Sequence, residues 1–308
     1  MSLEVDLMKT LYNLTLDPLC ENALDNFLKE NEKDCYLNSD SELTFLGDDI
    51  WQEAISAILA GKNLLLVGEK STGKNVLALN LAKLFQRPVY NVSININTDS
   101  ESLLGCDSFK NSQVFFRPGP VSLAAQKGGF LILDEINMAK NEALSVLHAS
   151  LDHRRKIDIP GYDSIKIHPA CRFIATMNED YAGTRPLNEA LLSRFVVIRL
   201  PIISRENLIE LITSRHKNMM AGFLEEIANI FSDILTKYQA GEISSNALDI
   251  RGLLYSLDMI EVGLNPFDAL KLGLINKSFD HFERTLLEDL IKVRISSKMS
   301  FSDVLKAN

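Results

Sequence analysis

Residues 63–85 read NLLLVGEKSTGKNVLALNLAKLF. The apolar run Asn63–Val67 leads into a loop with two glycines, and the loop leads into a segment with apolar residues at helical spacing. The loop fits the pattern GxxxxGK, in which backbone N–H groups and a helix N-terminus point at phosphate and a lysine neutralises its charge. The stretch therefore predicts a strand, a phosphate-binding loop and a helix, although an ordinary glycine-rich turn carrying a surface lysine would read the same way.

The residues of this loop are the first predicted ligand contacts. Phosphate or nucleotide contacts are predicted for Gly68, Glu69, Lys70, Ser71, Thr72, Gly73, Lys74, Asn75 and Val76. The position after Lys74 usually carries Ser or Thr, whose hydroxyl binds Mg²⁺, whereas here it is Asn75. An amide oxygen is also a neutral hard ligand, so we expect Asn75 to take part in magnesium binding. Metal affinity and reaction rate are the properties that this departure affects.

A second motif, GGFLILDE at residues 128–135, is a buried apolar strand that ends in two acids. Carboxylates at the carboxyl end of a central parallel strand face the ligand crevice. We expect Asp134 to hold Mg²⁺, directly or through water, and Glu135 to polarise the water that attacks a γ-phosphoryl group. The alternative is a solvated strand end without chemistry.

Length and composition limit the other possibilities. The chain has 308 residues, 46% hydrophobic and 24% charged, which is typical of a soluble protein with one large and one smaller domain. No apolar run approaches the roughly 18 residues that span a bilayer, and Glu4 and Asp6 lie where a signal peptide would be basic or apolar. We therefore expect a cytoplasmic protein without a membrane segment. The net charge of −9 disfavours nonspecific nucleic-acid binding.

Cysteine and histidine spacing predicts no further metal site. Cys20, Cys35, Cys106 and Cys171 lie far apart without CxxC or CxxH spacing, which argues against a zinc site and a disulfide framework. The five histidines show no HxxxH or other ligand pairing, and no metal is assigned to them.

The hydrophobic pattern divides the chain into three parts. Residues 1–45 have apolar positions at helical spacing and predict a helical N-terminal extension, with Leu3, Leu7, Leu11, Leu14, Leu24, Phe27 and Leu28 as the apolar positions. Residues 46–201 alternate short apolar runs with helical segments, which indicates βαβ units around a parallel sheet. Residues 202–308 show helical patterns only, so we predict a smaller all-α domain after an α/β core.

Together these motifs resemble the AAA+ superfamily, and within it the MoxR-like, dynein-related branch, from about Leu46 to Ile260. The strand FIATMN ends in Asn178, which is similar to sensor 1, a polar group that orients the lytic water. In GTRPLNEALLSRF, Arg194 matches the arginine finger, and in SSNALDIRGLL, Arg251 stands where the family has sensor 2. The resemblance implies a P-loop core with a five-stranded parallel sheet, a helical lid, and ATP and Mg²⁺ as cofactors.

Two further segments fit that branch. Residues 97–128 resemble an insert that often faces the pore of a ring, where Phe115 and Phe116 could grip a substrate or simply pack half-buried. In residues 155–168, apolar and polar residues alternate on both sides of a turn at Pro160 and Gly161, and this pattern predicts a β-hairpin. Trp51 stands where the family often brackets the adenine, but a lone tryptophan is more often part of the core.

The resemblance implies an ATPase that assembles as a ring, with six subunits expected, and remodels another protein. In MoxR-like systems the partner often carries a von Willebrand factor A domain, and metal or cofactor insertion is a common outcome. One alternative is a nucleotide-dependent nucleic-acid motor, because the same branch contains the motor of a DNA restriction system. A second is a nucleotide-gated assembly scaffold with little turnover, which Asn75 favours.

Overall fold

The computed structural model describes residues 14, 16–31, 43–179 and 185–306. Leu3, Leu7, Leu11 and Cys35, named in the sequence analysis, lie outside the described residues. The chain divides into two units. The first contains the residues up to Gly68 together with Gly73–Leu200, and the second contains Glu69–Thr72 together with the residues from Pro201 onward. Each unit is described separately below.

The first unit is built on a five-stranded parallel sheet. Its strands are β1 (Asn63–Val67), β2 (Val89–Ser93), β5 (Phe130–Asp134), β8 (Arg172–Met177) and β9 (Phe195–Arg199). Their order across the sheet is β2-β5-β8-β1-β9, and every neighbouring pair is parallel. Because parallel strands need crossovers, the chain between them forms the helices and hairpins that cover the sheet.

Three central strands carry the predicted apolar runs. All five residues of β1 are buried, and only the last residue of β5 and of β8 is partly exposed. Strands buried on both faces read as nearly continuous apolar segments, which is why these runs were visible in the sequence. Only their carboxyl ends reach solvent, so polar side chains concentrate at that edge.

Helices cover both faces of this sheet. On one side, Leu64 and Leu66 of β1 pack in a cluster with residues of α1 (Pro18–Glu30), α2 (Asp48–Leu59) and α3 (Lys74–Leu84). On the other side, Leu65 and Val67 pack in a second cluster. The remaining helices of this unit are α4 (Ser100–Leu104), α5 (Pro120–Lys127), α6 (Asn141–Leu144), α7 (Leu147–Leu151) and α8 (Glu189–Leu192). The alternation of neighbouring residues between clusters is the two-residue period of a strand.

Two antiparallel hairpins interrupt the crossovers. The first pairs β3 (Gly105–Lys110) with β4 (Gln113–Pro118), inside the segment identified as an insert. The second pairs β6 (Lys156–Ile157) with β7 (Ile165–Lys166). The Tyr162 hydroxyl donates a 2.8 Å hydrogen bond to Asp107, which links the hairpins and raises the pKa of Tyr162.

The second unit consists mainly of helices and the loops between them, and it includes the four residues Glu69–Thr72. Its helices are α9 (Arg205–Arg215), α10 (Ala221–Gln239), α11 (Ile250–Glu261), α12 (Pro266–Gly273) and α13 (His281–Arg294). Apolar residues recur on one side of the longer helices, for example Leu224, Ile227 and Ile234 in α10, and these are buried. Asp249 and Asp280 cap α11 and α13 by accepting hydrogen bonds from backbone N–H groups in the first turn.

The fold class predicted from sequence is confirmed: a parallel five-stranded P-loop core is followed by a helical region. Within the described part of the chain, no helix combines the length and the apolar character needed to cross a bilayer.

Trp51 and Asn80 fasten the segment before α2 to the core of the first unit. Trp51 is 1% exposed, and its indole N–H donates to the Phe45 carbonyl at 3.0 Å. It is therefore a core residue, as expected for most lone tryptophans. The fully buried Asn80 amide accepts from the Phe45 N–H at 2.9 Å and donates to the Leu43 carbonyl at 3.1 Å. One side chain of α3 thus satisfies two backbone groups of an irregular segment.

We expect Asn80→Ala to lower the free energy of unfolding by about 1 to 3 kcal/mol, because the buried Phe45 N–H and the part-buried Leu43 carbonyl lose their hydrogen bonds to this side chain. Urea denaturation of the purified chain measures this loss. The matched control is Asn141→Ala on the exposed start of α6, which should change stability by no more than about 0.5 kcal/mol. Equal effects of the two substitutions would contradict the anchoring role of Asn80.

Candidate nucleotide-binding site

The loop between β1 and α3 has the backbone of a phosphate-binding loop. Gly73 adopts a left-handed conformation, with φ of 86°, and α3 begins at the next residue. A side chain at Gly73 would lie 3.0 Å from the Phe45 ring, so glycine is required for both conformation and space. Lys74 is buried, and its ammonium donates to the Gly68 carbonyl at 2.9 Å, which holds the lysine across the loop.

Asn75 contacts the acidic end of β5. Its amide nitrogen donates to Asp134 Oδ2 at 2.8 Å. Its amide oxygen is buried and accepts no hydrogen bond from any residue that the structure describes. Buried polar atoms almost always have a partner, so an unpaired oxygen beside a carboxylate identifies a place for a cation or water.

Thr176 of β8 organises the two acids. The Thr176 hydroxyl donates to Asp134 Oδ1 at 2.5 Å. Its oxygen, Oγ1, also accepts a hydrogen bond from the Glu135 backbone N–H at 3.1 Å. The parallel register pairs Leu133 with Ala175, so the ends of β5 and β8 are aligned. One hydroxyl therefore fixes both the Asp134 side chain and the chain direction at Glu135.

Glu135 itself has a strained backbone. Its φ of 56° and ψ of 48° lie in the left-handed region, which is uncommon for any residue other than glycine. Such conformations cost about 1 to 3 kcal/mol and cluster at functional sites, where the surroundings hold them in place. Here the turn aims the Glu135 carboxylate at the next strand end.

Asn178 lies at that strand end, just after β8. Its amide nitrogen donates to Glu135 Oε1 at 3.3 Å, and its backbone carbonyl accepts from Asn137 at 2.8 Å. The amide oxygens of Asn137 and Asn178 are both buried and, within the described ranges, accept no hydrogen bond. The predicted acidic pair and the predicted sensor residue are thus brought into one hydrogen-bonded set.

The donor set fits Mg²⁺. The ion prefers oxygen ligands and usually takes one or two carboxylates together with water and substrate phosphates. Asp134 supplies a carboxylate, and Asn75 supplies a neutral oxygen whose nitrogen is already fixed by Asp134. The sequence-based assignment of a metal ligand to Asn75 is therefore chemically consistent with the geometry.

The hydrogen bond recorded for the Arg194 side chain is not to a residue of this hydrogen-bonded set. Arg194 is half-buried between α8 and β9, and its guanidinium donates to the Ala190 carbonyl within its own segment. Among the residues that the structure describes, the buried Nε of Arg194 has no hydrogen-bond acceptor. The role of Arg194 stays a prediction.

The other predicted contact residues are distributed over both units. Val76 packs against the core in the first unit. In the second unit, Glu69 accepts from the Tyr238 hydroxyl at 2.8 Å and the Ser71 hydroxyl donates to Asp249 at 3.4 Å. Thr72 is buried, with its hydroxyl donating to the Glu69 carbonyl at 3.0 Å, whereas Lys70 is exposed. Arg251 is exposed at the second position of α11, and its role stays a prediction.

Asp249 is held as an anion in the second unit. Burial acts to raise its pKa, but the hydrogen bond from Lys277, the Gly252 N–H and the nearby charge of Lys70 outweigh it, so the pKa lies below the usual value. Asp249 thus presents a charged acceptor to Ser71.

The sequence analysis missed four polar residues that contact predicted site residues, Thr176 and Asn137 in the first unit and Tyr238 and Asp249 in the second. A signal for Thr176 was present, because it precedes Asn178 by two residues and residues two apart point to the same face of a strand. Asn137 lies two residues beyond the acidic pair. Tyr238 and Asp249 are far from the loop in the chain, and no local pattern could indicate their contacts.

Comparison with known proteins gives a consistent picture. The family model described as AAA domain (dynein-related subfamily) matches residues 63–195. The chain is 34% identical over 268 residues to Uncharacterized protein SH1500 of Staphylococcus haemolyticus, covering 85% of this chain and 98% of that protein. It is 34% identical over 243 residues to Uncharacterized protein YojN of Bacillus subtilis, covering 77% and 80%. It is 36% identical over 267 residues to Uncharacterized protein SAUSA300_1302 of Staphylococcus aureus, covering 84% of this chain and 97% of that protein.

Replacing Asn75 should change the magnesium requirement. Asn75→Leu has a similar volume but no oxygen, so we expect several-fold more Mg²⁺ for half-maximal ATP hydrolysis. Asn75→Thr supplies the usual hydroxyl ligand, and its requirement should equal that of the original chain or fall below it. A magnesium titration of steady-state hydrolysis measures both.

Asn97→Ala, on an exposed loop of the same unit, is the control and should leave the magnesium requirement unchanged. An unchanged requirement in Asn75→Leu would show that the Asn75 oxygen does not contact the metal.

Proposed function

The chain belongs to the AAA+ ATPases, and from this premise we propose that it hydrolyses ATP with Mg²⁺ as one subunit of a ring that remodels a partner protein. Membership of the family implies nucleotide binding and hydrolysis in general. The proposal extends this to the residues that carry out the reaction, the assembly and the kind of client.

One observation supports the enzymatic part above all others: Asn75, Asp134, Thr176, Glu135 and Asn178 form a continuous hydrogen-bonded set. A set that served only to stabilise the fold would pair its buried oxygens. Here the amide oxygens of Asn75 and Asn178 stay unpaired among the residues described, although they are buried. Unpaired acceptors beside two carboxylates are suited to a cation and an attacking water.

We assign each residue of this set a role in the proposed reaction. Lys74 would neutralise phosphate charge, and Asn75 and Asp134 would hold Mg²⁺, which would supply positive charge against the charge that develops in phosphoryl transfer. Glu135 accepts a proton from the attacking water, and Asn178 orients that water while holding Glu135 Oε1 at 3.3 Å. The left-handed turn at Glu135 keeps the carboxylate pointed at Asn178 rather than along β5.

We assign Arg194 the role of an arginine finger that acts on the site of a neighbouring subunit. AAA+ proteins are typically oligomeric, and we propose a homo-oligomeric ring, with six subunits as the expected number. Within the described residues the Arg194 Nε has no acceptor, which supports a function outside its own site. Arg251 is proposed as a second cation that reaches the γ-phosphate.

The proposed client is a protein with a von Willebrand factor A domain, and metal or cofactor insertion is the proposed outcome. The β3–β4 hairpin supports a protein client, because Phe109 and Val114 pair across it and are 72% and 62% exposed. Phe115 is also exposed, whereas Phe116 is half-buried and packs against Tyr162. We place this activity in the cytoplasm, where ATP is supplied, and without nucleic acid, which the net charge of −9 disfavours.

Glu135→Gln should separate binding from turnover. The amide keeps the shape of the side chain but cannot accept the proton, so ATP should bind with nearly unchanged affinity while hydrolysis falls by about 10² or more. Nucleotide binding and phosphate release are measured on the same preparation, and Glu142→Gln, exposed on α6, is the matched control.

Full activity in Glu135→Gln would show that another group is the base. An original chain that binds ATP and assembles without turnover would instead favour the nucleotide-gated scaffold. Stimulation of turnover by duplex DNA would favour the nucleic-acid motor.

Mixing two variants tests the finger. Arg194→Ala has a complete site but no finger, whereas Glu135→Gln has a finger but no base. If the finger acts between subunits, mixed rings should hydrolyse ATP faster than either variant alone, because a finger is worth up to about 10³ to 10⁵ in rate in related reactions. Steady-state hydrolysis is measured across mixing ratios.

Two inactive variants that co-assemble without rescue would refute action between subunits. A chain that stays monomeric with ATP and Mg²⁺ and still hydrolyses at full rate would refute the ring.

A further inference from the structure

His216 has an unusual environment in the helical unit. It follows α9 directly, and its backbone N–H donates to the Ile212 carbonyl at 2.8 Å. Its side chain is 0% exposed. Nevertheless, neither ring nitrogen forms a hydrogen bond with any residue of the described ranges. A buried imidazole normally has at least one partner, so these two nitrogens require an explanation.

Two carboxylates of α11 lie beside this ring. Glu261 Oε2 is 3.3 Å from His216 Nδ1, and Asp258 Oδ1 is 3.9 Å from Nε2. Taking one ligand atom from each residue, all three atoms lie within 4.8 Å of one another. Asp258 and Glu261 are three residues apart on a helix, so they share a face.

The negative charge of the two acids is only partly offset by the protein. Both lie in the last turn of α11, which contains no basic residue, and negative charge there opposes the negative end of the helix dipole. Arg215 offsets part of this charge, since its guanidinium donates to Asp258 at 3.0 and 3.3 Å. Two carboxylates and one guanidinium leave an excess of one negative charge beside the imidazole.

We propose that His216, Asp258 and Glu261 bind a divalent transition-metal ion, with zinc as the best match. One imidazole nitrogen and two carboxylate oxygens are a donor set that suits zinc, which is four-coordinate and binds nitrogen and oxygen ligands at about 2.0 to 2.2 Å. The fourth position is left to water or another ligand, because Asp258 and Glu261 are 40% and 28% exposed. Magnesium is a poor match, because it prefers an all-oxygen octahedral shell.

Metal binding would join two separate helices. His216 fixes the end of α9, and the two carboxylates fix the end of α11, the helix that begins beside Asp249 and carries Arg251. The ion therefore acts as a structural clasp within the helical unit. This site is independent of the nucleotide chemistry proposed above, and its test needs no ATPase activity.

The experiment uses the full-length chain, stripped with a chelator and free of nucleotide, titrated with zinc chloride in a calorimeter. We expect one zinc site whose affinity falls more than about tenfold in His216→Gln, Asp258→Asn and Glu261→Gln. The two carboxylate variants change partly exposed residues, so they test the proposal even if His216→Gln folds poorly. Zinc should also raise the melting temperature of the original chain but not of these variants.

Two controls separate this site from others. His281→Gln alters an exposed histidine of the same unit and should keep the zinc site, as should Asp134→Asn in the magnesium site. Cobalt titration should give visible absorption bands in the original chain that are absent in His216→Gln. Zinc binding that is unchanged in all three ligand variants overturns the proposal. So does the absence of zinc binding, which would leave His216 as a buried ion-pair partner of the two acids.

Discussion

The alignment of parallel strand ends is the constraint on which the site depends. β1, β5 and β8 lie next to one another or one strand apart, and all run in the same direction. The groups that follow each strand, the phosphate loop, the acidic pair and Asn178, therefore meet at one edge. Thr176 then converts this alignment into fixed geometry, because its hydroxyl contacts both Asp134 and the backbone of Glu135. A shift of register by one residue would turn Thr176 to the opposite face and separate the whole set.

The sequence predicted the fold well, because the features that define it are local. Buried parallel strands are continuous apolar runs, and the loop GEKSTGK and the pair Asp134–Glu135 stand directly after two of them. Helical periodicity likewise indicated the helices after Pro201. The candidate site was predictable only for residues that belong to such motifs. Contacts between distant segments, such as Tyr238 with Glu69 or His216 with Glu261, leave no periodic trace in one sequence.

Asn75 shows how a departure from a motif acquires meaning only in three dimensions. From the sequence it was a substitute ligand of uncertain effect. In the structure the amide does two things, because its nitrogen fixes Asp134 while its oxygen stays buried and, among described residues, unpaired. A hydroxyl is smaller and would have to serve as donor and ligand through the same atom. If Asn75 holds Mg²⁺ as proposed, it differs from a hydroxyl in having its donor and its acceptor on separate atoms.

At Glu135, the left-handed backbone conformation lowers the stability of the fold, while the side chain is the proposed catalytic base. Glycine is the residue that relaxes such a conformation, so the change that most relieves the turn also removes the proposed base. A laboratory selection for heat resistance alone would therefore be drawn toward an inert protein at this position.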